Sequence, residues 1–230
     1  MNATTTKTRI FIVDDHPLVR DWLAALIKQQ PDLEYLGQAG DATKALSAML
    51  ETPPDVAIVD LTLPGSSGLD LIRNLTEQLP GTQAIVLTMH DELFYVERAL
   101  RAGARGYVMK HESTNSILDA IRAVQTGLIY ANPRLLANIA QRIFGRNQPA
   151  SETADKIGAA IDTLSDRELE VFQYLGRGRT TRQIAETLHL SIKTVQSYCV
   201  RIKEKLNLTT SAELIYEAVS HHARTVPEQK

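Results

Sequence analysis

Short apolar runs alternate five times with amphipathic segments in the first half of this 230-residue chain. The apolar runs are residues 9–13, 35–38, 56–59, 84–87 and 106–109. The segments between them carry apolar residues at helical spacing, as in residues 16–30 and 113–125. Strands and helices that alternate in this way predict an α/β, doubly wound, five-stranded parallel sheet with helices on both faces.

Polar residues directly follow four of the predicted strands. Asp14 and Asp15 follow the first strand, Asp60 the third, Thr88 the fourth and Lys110 the fifth. In an open parallel sheet the ligand site lies beyond the carboxyl ends of the strands. With a flavodoxin-like strand order the first and third strands are neighbours, so we expect the three carboxylates to meet in one crevice.

Three carboxylates in one crevice repel each other and therefore predict a bound cation. Their oxygen atoms favour Mg²⁺ over softer metals. A carboxylate beside Mg²⁺ can attack a phosphoryl group, and Lys110 and the Thr88 hydroxyl are placed to stabilise the transferred oxygens. An Asp after a strand is commonly a cap and a Lys there is commonly solvated, but five such residues at four strand ends form a far more specific pattern.

Residues 9–126 resemble the receiver domain of bacterial two-component response regulators. The resemblance is carried by IFIVDDH, VAIVDLTLPGSSGLDLI, IVLTMHDE and GARGYVMK. It implies that a sensor histidine kinase phosphorylates Asp60. It also implies that Mg²⁺ is bound by the carboxylates of Asp14, Asp15 and Asp60 and by the backbone carbonyl of Thr62.

The same resemblance implies roles for three residues around the acceptor. Thr88 and Tyr107 form the switch pair, and Lys110 contacts the phosphate. The Tyr107 ring is expected to turn inward when the Thr88 hydroxyl moves onto the phosphoryl group. Two nearby residues have simpler interpretations: His16 as a helix-start residue rather than a ligand, and Trp22 as a core residue.

The composition divides the second half of the chain from the first. Residues 133–144 predict one further helix, and polar residues dominate from Gly145 to about Asp162. The predicted domains are a receiver at 8–127, a connecting helix and flexible linker at 128–162, and a small all-α domain at 163–224.

The small domain has the pattern of a helix-turn-helix. Ser165 and Glu168 form a capping box at the start of its first helix. A short helix at 181–188 and a longer one at 191–206 are joined by a tight turn. Residues 176–206 contain seven basic and two acidic residues, a local net charge of +5 in a chain with a net charge of −2. This imbalance on a helix-turn-helix predicts binding to double-stranded DNA.

A helical projection separates the core face of the longer helix from its DNA-facing side. Val195, Tyr198, Cys199, Ile202 and Leu206 fall on the core side. The predicted DNA contacts are Thr181, Lys193, Thr194, Gln196, Ser197, Val200, Arg201, Lys203 and Lys205. Gln, Lys and Val suit base edges, whereas the later cations suit phosphates.

Residues 164–219 resemble the LuxR-type DNA-binding domain. The resemblance is carried by LSDRELEVFQYL, IAETLHLSIKTVQSY and IKEKLNLTTSAELI. With the receiver, nearly the whole chain resembles the NarL/FixJ class of response regulators. Gln196 and Tyr198 depart from the commonest pattern of that domain, which leaves the operator sequence open. The family's usual dimer contact in this domain is the last helix, residues 211–222.

These features predict a transcriptional regulator that is phosphorylated on Asp60 and binds DNA, as a homodimer when phosphorylated and with RNA polymerase as a further partner. It is not expected to be an enzyme beyond its own phosphorylation and dephosphorylation. Two alternatives stay open: a phosphohydrolase that works through an aspartyl phosphate, and a DNA-binding protein whose receiver is only a dimerisation scaffold. No run of about 18 apolar residues and no secretory leader are found, so we expect a cytoplasmic protein.

Overall fold

The computed structural model describes residues 6–89, 93–133, 135–137, 160–161 and 163–225 of the chain. Two compact units are divided between residues 139 and 140. The first is built on a parallel β-sheet and the second on α-helices. Within the described ranges, no helix has the length and apolar character needed to cross a membrane.

The first unit is a helix-covered sheet. Its strands are β1 (Thr8–Val13), β2 (Leu33–Ala39), β3 (Val56–Val59), β4 (Thr62–Leu63), β5 (Ser66–Ser67), β6 (Gln83–Thr88), β7 (Ala104–Met109) and β8 (Tyr130–Ala131). Its helices are α1 (Pro17–Lys28), α2 (Ala42–Glu51), α3 (Gly68–Gln78), α4 (Leu93–Ala102) and α5 (Thr114–Gln125). Six strands form the sheet, in the order β2-β1-β3-β6-β7-β8, and all pairs are parallel. This order confirms the flavodoxin-like prediction.

The sheet has one strand more than the five predicted. Tyr130 and Ala131 pair with Gly106 and Tyr107 at the edge of the sheet. The sequence assigns these two residues to the connecting segment, because a two-residue strand is too short to show a period of its own. The five predicted strands are all present.

One hydrophobic cluster of this unit lies between the sheet and the helices α1 and α5, and the helices α2, α3 and α4 bury further apolar residues such as Met49, Ile72 and Ala99. The buried side chains of this cluster come from β1, β3, β6, β7, α1, β2 and α5. All four residues of β3 are buried, as expected for a central strand covered on both faces. The predicted cap of α2 is also confirmed, because Asp41 Oδ1 accepts from the backbone N–H of Lys44 at 2.9 Å.

The prediction that Trp22 belongs to the core is wrong. Trp22 is 41% exposed and Leu18, one turn earlier, is 84% exposed. The buried face of α1 instead includes Leu23, Leu26 and Ile27. Leu18 and Trp22 each lie one residue before the buried stripe, which rotates them by about 100° to the solvent side of the helix.

From residue 163 to residue 225, the second unit contains the predicted four helices. They are α6 (Asp166–Gly176), α7 (Thr181–Thr187), α8 (Ile192–Leu206) and α9 (Ser211–Thr225). The capping box of α6 is confirmed, since Glu168 N donates to Ser165 Oγ and Ser165 N donates to Glu168 Oε2. α8 begins at its predicted cap, Ser191, and ends at Asn207, which adopts the left-handed conformation with φ of 56°.

The connecting segment is described only in part. Residues 133 and 135–137 are helical, in agreement with the start of the predicted helix at 133–144. The remainder of that helix and most of the predicted linker, residues 145–162, lie outside the described residues.

Candidate functional site

Four neighbouring strands end at one edge of the sheet and bring the predicted polar residues together. The backbone N–H of Asp60 donates to the carbonyl of Val13, directly before Asp14, at 2.8 Å. The backbone N–H of Lys110 donates to the carbonyl of Thr88 at 2.8 Å. These bonds continue the pairing of the sheet just beyond its strands. The side chains that follow the strands therefore share one crevice.

Lys110 joins two of the carboxylates. Its Nζ atom lies 2.7 Å from Asp60 Oδ2 and 2.8 Å from Asp14 Oδ2. The side chains of both carboxylates are almost fully buried, and that of Lys110 is 13% exposed. One ammonium thus faces two buried carboxylates, with Asp15 as a third beside them.

Burial and neighbouring charges shift the pKa values of Asp60 and Lys110. Burial raises the pKa of Asp60 to about 6, Lys110 opposes the rise, and the neighbouring Asp14 adds to it. For Lys110, burial favours the neutral amine, but the charges of Asp60 and Asp14 outweigh it and raise the pKa of the ammonium. The crevice therefore disfavours the charged form of Asp60 and favours the charged form of Lys110.

The acidic residues are arranged as a ligand set for a divalent cation. Donor atoms of Asp14, Asp15, His16 and Asp60 all lie within 4.8 Å of one another. The carboxylate oxygens suit Mg²⁺, which prefers hard oxygen ligands. The backbone N–H of Thr62 donates to Asp60 Oδ1 at 3.3 Å, so the residue whose carbonyl is the predicted fourth ligand lies beside Asp60. The residues present therefore fit the predicted ion.

His16 contacts the carboxylates of the site, which the sequence does not predict. It precedes α1 as the predicted helix-start residue, and its backbone N–H donates to Asp14 Oδ1 at 2.8 Å. Its ring also contacts the acidic residues, with Nδ1 2.6 Å from Asp15 Oδ1. The direct adjacency of His16 to two carboxylates was the only signal in the sequence that could have indicated this contact.

Gly68 holds the loop after Asp60 close to the site. Its backbone N–H donates to the carbonyl of Leu61 at 2.9 Å. A Cβ atom at this position would lie 2.0 Å from the backbone oxygen of Asp60 and 2.8 Å from the Cα of Leu61. Only glycine permits this approach, so the small hairpin of β4 and β5 can fold back beside Asp60.

The predicted switch pair is fully buried. Thr88 ends β6, Tyr107 lies within β7, and neither has measurable exposure. Tyr107 is paired in register with Val86, two residues before Thr88. The Tyr107 side chain is therefore buried in the unphosphorylated chain.

The second unit presents the predicted face of α8 to solvent. Val195 and Ile202 are buried, while Tyr198, Cys199 and Leu206 are half-buried along the same side. The exposed predicted contacts are Lys193, Gln196, Ser197, Val200, Arg201 and Lys205. Thr181, Thr194 and Lys203 are half-buried. The helical projection therefore separates the two faces correctly.

The ammonium of Lys205 is paired within its own unit, although the Lys205 side chain is 38% exposed. Lys205 Nζ donates to Glu168 Oε2 at 2.6 Å and to the carbonyl of Thr163 at 3.2 Å. This pairing across 37 positions has no signal in the local sequence. It separates Lys205 from the other cations that the sequence groups as phosphate contacts.

Arg201 has a neighbour that the sequence does not predict. Its guanidinium carbon lies 5.8 Å from the centre of the Tyr198 ring, one turn earlier on α8. An arginine above an aromatic face is restrained in position while its N–H groups stay available for hydrogen bonds. Tyr198, one of the two residues that depart from the common family pattern, therefore helps to orient a predicted DNA contact.

Comparison with known families agrees with both units. Residues 10–122 match the response regulator receiver domain, and residues 162–218 match the bacterial regulatory proteins of the luxR family. The chain is 34% identical over 213 residues to the oxygen regulatory protein NreC of Staphylococcus carnosus. That alignment covers 92% of this chain and 96% of the relative.

Solved structures with similar folds include two response regulators. One is a LuxR-family two-component response regulator from Aurantimonas sp. SI85-9A1, with 33% identity, a TM-score of 0.57, and coverage of 60% of this chain and 99% of that chain. The other is the response regulator RcsB in complex with DNA, with 25% identity, a TM-score of 0.56, and coverage of 94% and 98%. The chain therefore belongs to the NarL/FixJ class of two-component response regulators, in which a receiver domain is joined to a LuxR-type helix-turn-helix domain, and it regulates transcription in a phosphorylation-dependent manner.

Proposed function

We propose that Asp60 accepts the phosphoryl group and that a sensor histidine kinase donates it. The observation that carries this proposal is the convergence of Asp14, Asp15, Asp60, Thr88 and Lys110 at one edge of the sheet. An Asp60 carboxylate oxygen forms the bond to phosphorus while the bond from phosphorus to the kinase histidine nitrogen breaks. The kinase histidine keeps the electron pair of that bond.

Mg²⁺ is the proposed cofactor of this transfer. The carboxylates of Asp14, Asp15 and Asp60 and the backbone carbonyl of Thr62 would hold it. When bound, the ion supplies positive charge that offsets the excess of carboxylates and the charge of the incoming phosphoryl oxygens. The chemistry of the ligand set, oxygen atoms around a buried carboxylate, supports a hard dication.

Lys110 and Thr88 are proposed to bind the phosphoryl oxygens. In the unphosphorylated chain Lys110 Nζ donates to Asp60 Oδ2, so its ammonium moves from that oxygen to a phosphoryl oxygen. The Thr88 hydroxyl donates to a second oxygen. Replacing Thr88 with Ala should leave phosphorylation in place but remove the gain in DNA affinity that follows it. A full gain in the Thr88→Ala variant would exclude Thr88 as the switch.

The test of the acceptor is the intact mass after incubation with Mg²⁺ and a small-molecule phosphodonor. Wild type should gain one phosphoryl group, and Asp60→Asn should gain none. Asp119→Asn, which changes an exposed carboxylate on α5, is the matched control and should behave as wild type. A gain of mass in Asp60→Asn would assign the acceptor elsewhere. No gain in a folded wild type, even with its kinase, would favour the alternative of a receiver that serves only as a dimerisation scaffold.

We propose that α8 enters the major groove of double-stranded DNA. The exposed residues Lys193, Gln196 and Val200 would contact base edges, and Arg201 and Lys203 would contact phosphates. The structure of RcsB bound to DNA supports this proposal by analogy of fold. Lys193→Ala and Gln196→Ala should lower the preference for the operator over unrelated DNA, and an unchanged preference would refute the assignment of this face.

Dimer formation after phosphorylation is the proposed link between the two units. A two-fold dimer would place two copies of α8 on adjacent half-sites. Ile215, Tyr216 and Val219 of α9 are exposed apolar residues and support a dimer contact on that helix. RNA polymerase is the further proposed partner. Sedimentation of the chain with and without phosphodonor tests the dimer, and a monomer in both states at DNA-binding concentrations would refute it.

A further inference from the structure

The edge strand β8 joins the receiver to the connecting helix. Tyr130 and Ala131 pair in register with Gly106 and Tyr107, and the two strands run parallel. Parallel strands end at the same edge of a sheet, so the chain that follows Ala131 leaves the sheet at the edge that holds the crevice. Ala131 thus lies opposite the predicted switch residue Tyr107, which precedes Lys110 by three residues.

Asn132 is the residue between β8 and the connecting helix. Its backbone carbonyl accepts from the N–H of Leu136 at 3.0 Å, and residues 133 and 135–137 are helical. Pro133 suits the first position of that helix, because it has no N–H that needs a partner. With one residue between strand and helix, a displacement of Asn132 displaces the start of the helix.

The Asn132 side chain contacts the loop that carries Lys110. Its Nδ2 atom donates to Glu112 Oε1 in a long hydrogen bond of 3.4 Å. The backbone N–H of Glu112 donates to the carbonyl of Met109, the last residue of β7, at 2.9 Å. Lys110 lies inside this short turn, so the contact of Asn132 depends on where the turn places Glu112.

The position of Lys110 depends in turn on the state of Asp60. In the unphosphorylated chain its ammonium lies 2.7 Å from Asp60 Oδ2 and 2.8 Å from Asp14 Oδ2. When Asp60 carries a phosphoryl group, the ammonium moves to a phosphoryl oxygen. Because Glu112 is two residues away in the same turn, this movement reaches its carboxylate and the bond from Asn132.

We propose that β8 and Asn132 couple the phosphorylation state of Asp60 to the start of the connecting helix, and that phosphorylation loosens this attachment. The inference rests on the proposed function, because the movement of Lys110 begins with the phosphoryl group. In the unphosphorylated chain the pairing of β8 and the contact from Asn132 to Glu112 hold the helix start at the crevice.

The short length of β8 makes it responsive to the loss of one contact. It has two residues and a partner strand on one side only, so it opens at a lower free energy than the central strands. Its ordered position is supported by Tyr130, which packs against the hydrophobic cluster of the receiver, and by the burial of Ala131 and Leu135. The Tyr130 end is therefore held by packing, whereas the Asn132 end is held by the Lys110 loop.

The first experiment measures amide hydrogen exchange of residues 130–132 in the full chain with Mg²⁺, before and after addition of beryllofluoride. Beryllofluoride is a stable analogue of the phosphoryl group, and fluorine NMR shows whether it is bound. Exchange in wild type should become about three- to tenfold faster when the analogue is bound, as expected for the loss of one hydrogen bond. Unchanged or slower exchange with the analogue bound would overturn the inference.

The second experiment uses the reciprocity of coupled sites. If the analogue loosens the contact of Asn132, removal of that contact must strengthen binding of the analogue. Asn132→Ala and Glu112→Ala should each bind beryllofluoride about two- to tenfold more tightly, and the double variant should bind no more tightly than either. The matched control is Asn115→Ala, which changes an exposed Asn of α5 and should bind as wild type does. Equal affinities of Asn132→Ala and wild type would overturn the inference, since a merely structural Asn132 would leave this affinity unchanged.

The two proposals fail in different ways. If wild type binds the analogue and is phosphorylated on Asp60 while the exchange of residues 130–132 stays the same, only the coupling through β8 is refuted. If folded wild type neither binds the analogue nor accepts a phosphoryl group, the proposed acceptor site is refuted, and the coupling that depends on it is refuted as well.

Discussion

Replacing Asp60 with Asn should stabilise the metal-free receiver above about pH 6. The Asp60 side chain is 4% exposed and shares the ammonium of Lys110 with Asp14. Burial, with help from Asp14, raises the pKa of Asp60 from its ordinary value of 3.8 to about 6. An Asn has nearly the same shape and carries no charge, so it avoids the cost of ionisation in this crevice.

The sign and size of the effect follow from the two pKa values. A carboxyl group with a raised pKa binds a proton more tightly in the folded chain, so the free energy of unfolding falls as pH rises from about 4 to about 6 and then levels off. A shift from 3.8 to about 6 corresponds to about 3 kcal/mol at neutral pH, at 1.36 kcal/mol per pKa unit. Because Asn loses part of the interaction with Lys110, the net gain should be about 1 to 3 kcal/mol.

The assay is urea unfolding in the presence of a chelator, followed by tryptophan fluorescence. Trp22 is the only tryptophan of the chain and lies in the receiver, so its signal reports this unit alone. The difference between Asp60→Asn and wild type should increase by about 1.4 kcal/mol from pH 5 to pH 7.5 and stay nearly constant above that. Asp119→Asn should stay within about 0.5 kcal/mol of wild type at both pH values.

A difference that does not change with pH, or a less stable Asp60→Asn variant at pH 7.5, would refute the reasoning. Either result would mean that Lys110 fully compensates the burial of the carboxylate. Addition of Mg²⁺ gives an independent check, because it should stabilise wild type by about 1.4 kcal/mol at ten times its dissociation constant. It should stabilise Asp60→Asn much less.

Three further substitutions test other contacts. Gly68→Ala should cost about 2 to 3 kcal/mol in the free energy of unfolding and weaken Mg²⁺ binding, because its Cβ would overlap the backbone of Asp60, whereas Gly81→Ala has open space around it and should be neutral. Arg201→Ala should weaken binding to all DNA sequences and reduce the slope of log affinity against log salt by about one, as measured by titration at several salt concentrations. Lys205→Met should leave that slope unchanged and lower the free energy of unfolding of the second unit by about 2 kcal/mol, because Glu168 loses its partner. A reduced slope in Lys205→Met would show that Lys205 contacts DNA phosphates.

The features of the fold that the sequence predicts are those with a local period. Four apolar residues in a row predict β3, and the capping box at Ser165 predicts the start of α6. Tyr130–Ala131 and the hairpin of β4 and β5 have no such signal, because strands of two residues are defined only by their partners. Trp22 shows a related limit, since apolar residues on two adjacent helix faces do not reveal which face packs.

The residues of the predicted site can also be identified from local sequence patterns. Asp60, Thr88 and Lys110 follow apolar strands, and the parallel sheet then brings them together without further information. The contact of His16 with the adjacent Asp15 depends on side-chain directions, and the contact of Lys205 depends on a partner, Glu168, that is its neighbour only in the folded chain. The sequence predicts which residues reach the crevice or the DNA-facing helix, but not how each charge is paired there.

Two buried carboxylates in this chain lie at nearly the same distance from a lysine, but their pKa values shift in opposite directions. Lys205 lies 2.6 Å from Glu168, and Lys110 lies 2.7 Å from Asp60. Burial opposes ionisation of both carboxylates. At Glu168, hydrogen bonds from Lys205 and from the capping residue outweigh burial and lower the pKa of the carboxyl.

At Asp60 the lysine is shared with Asp14, and the pKa rises. The pair of Lys205 and Glu168 has one ammonium for one carboxylate, and it stabilises the helix-turn-helix unit. The shared one leaves a negative charge that one ammonium cannot neutralise, at a cost in stability that a purely structural site would avoid. Another cation that enters the crevice would offset this cost in stability. The excess of carboxylates over ammonium groups in the crevice therefore supports the proposed Mg²⁺ site, and the pair of Lys205 and Glu168 has no such excess.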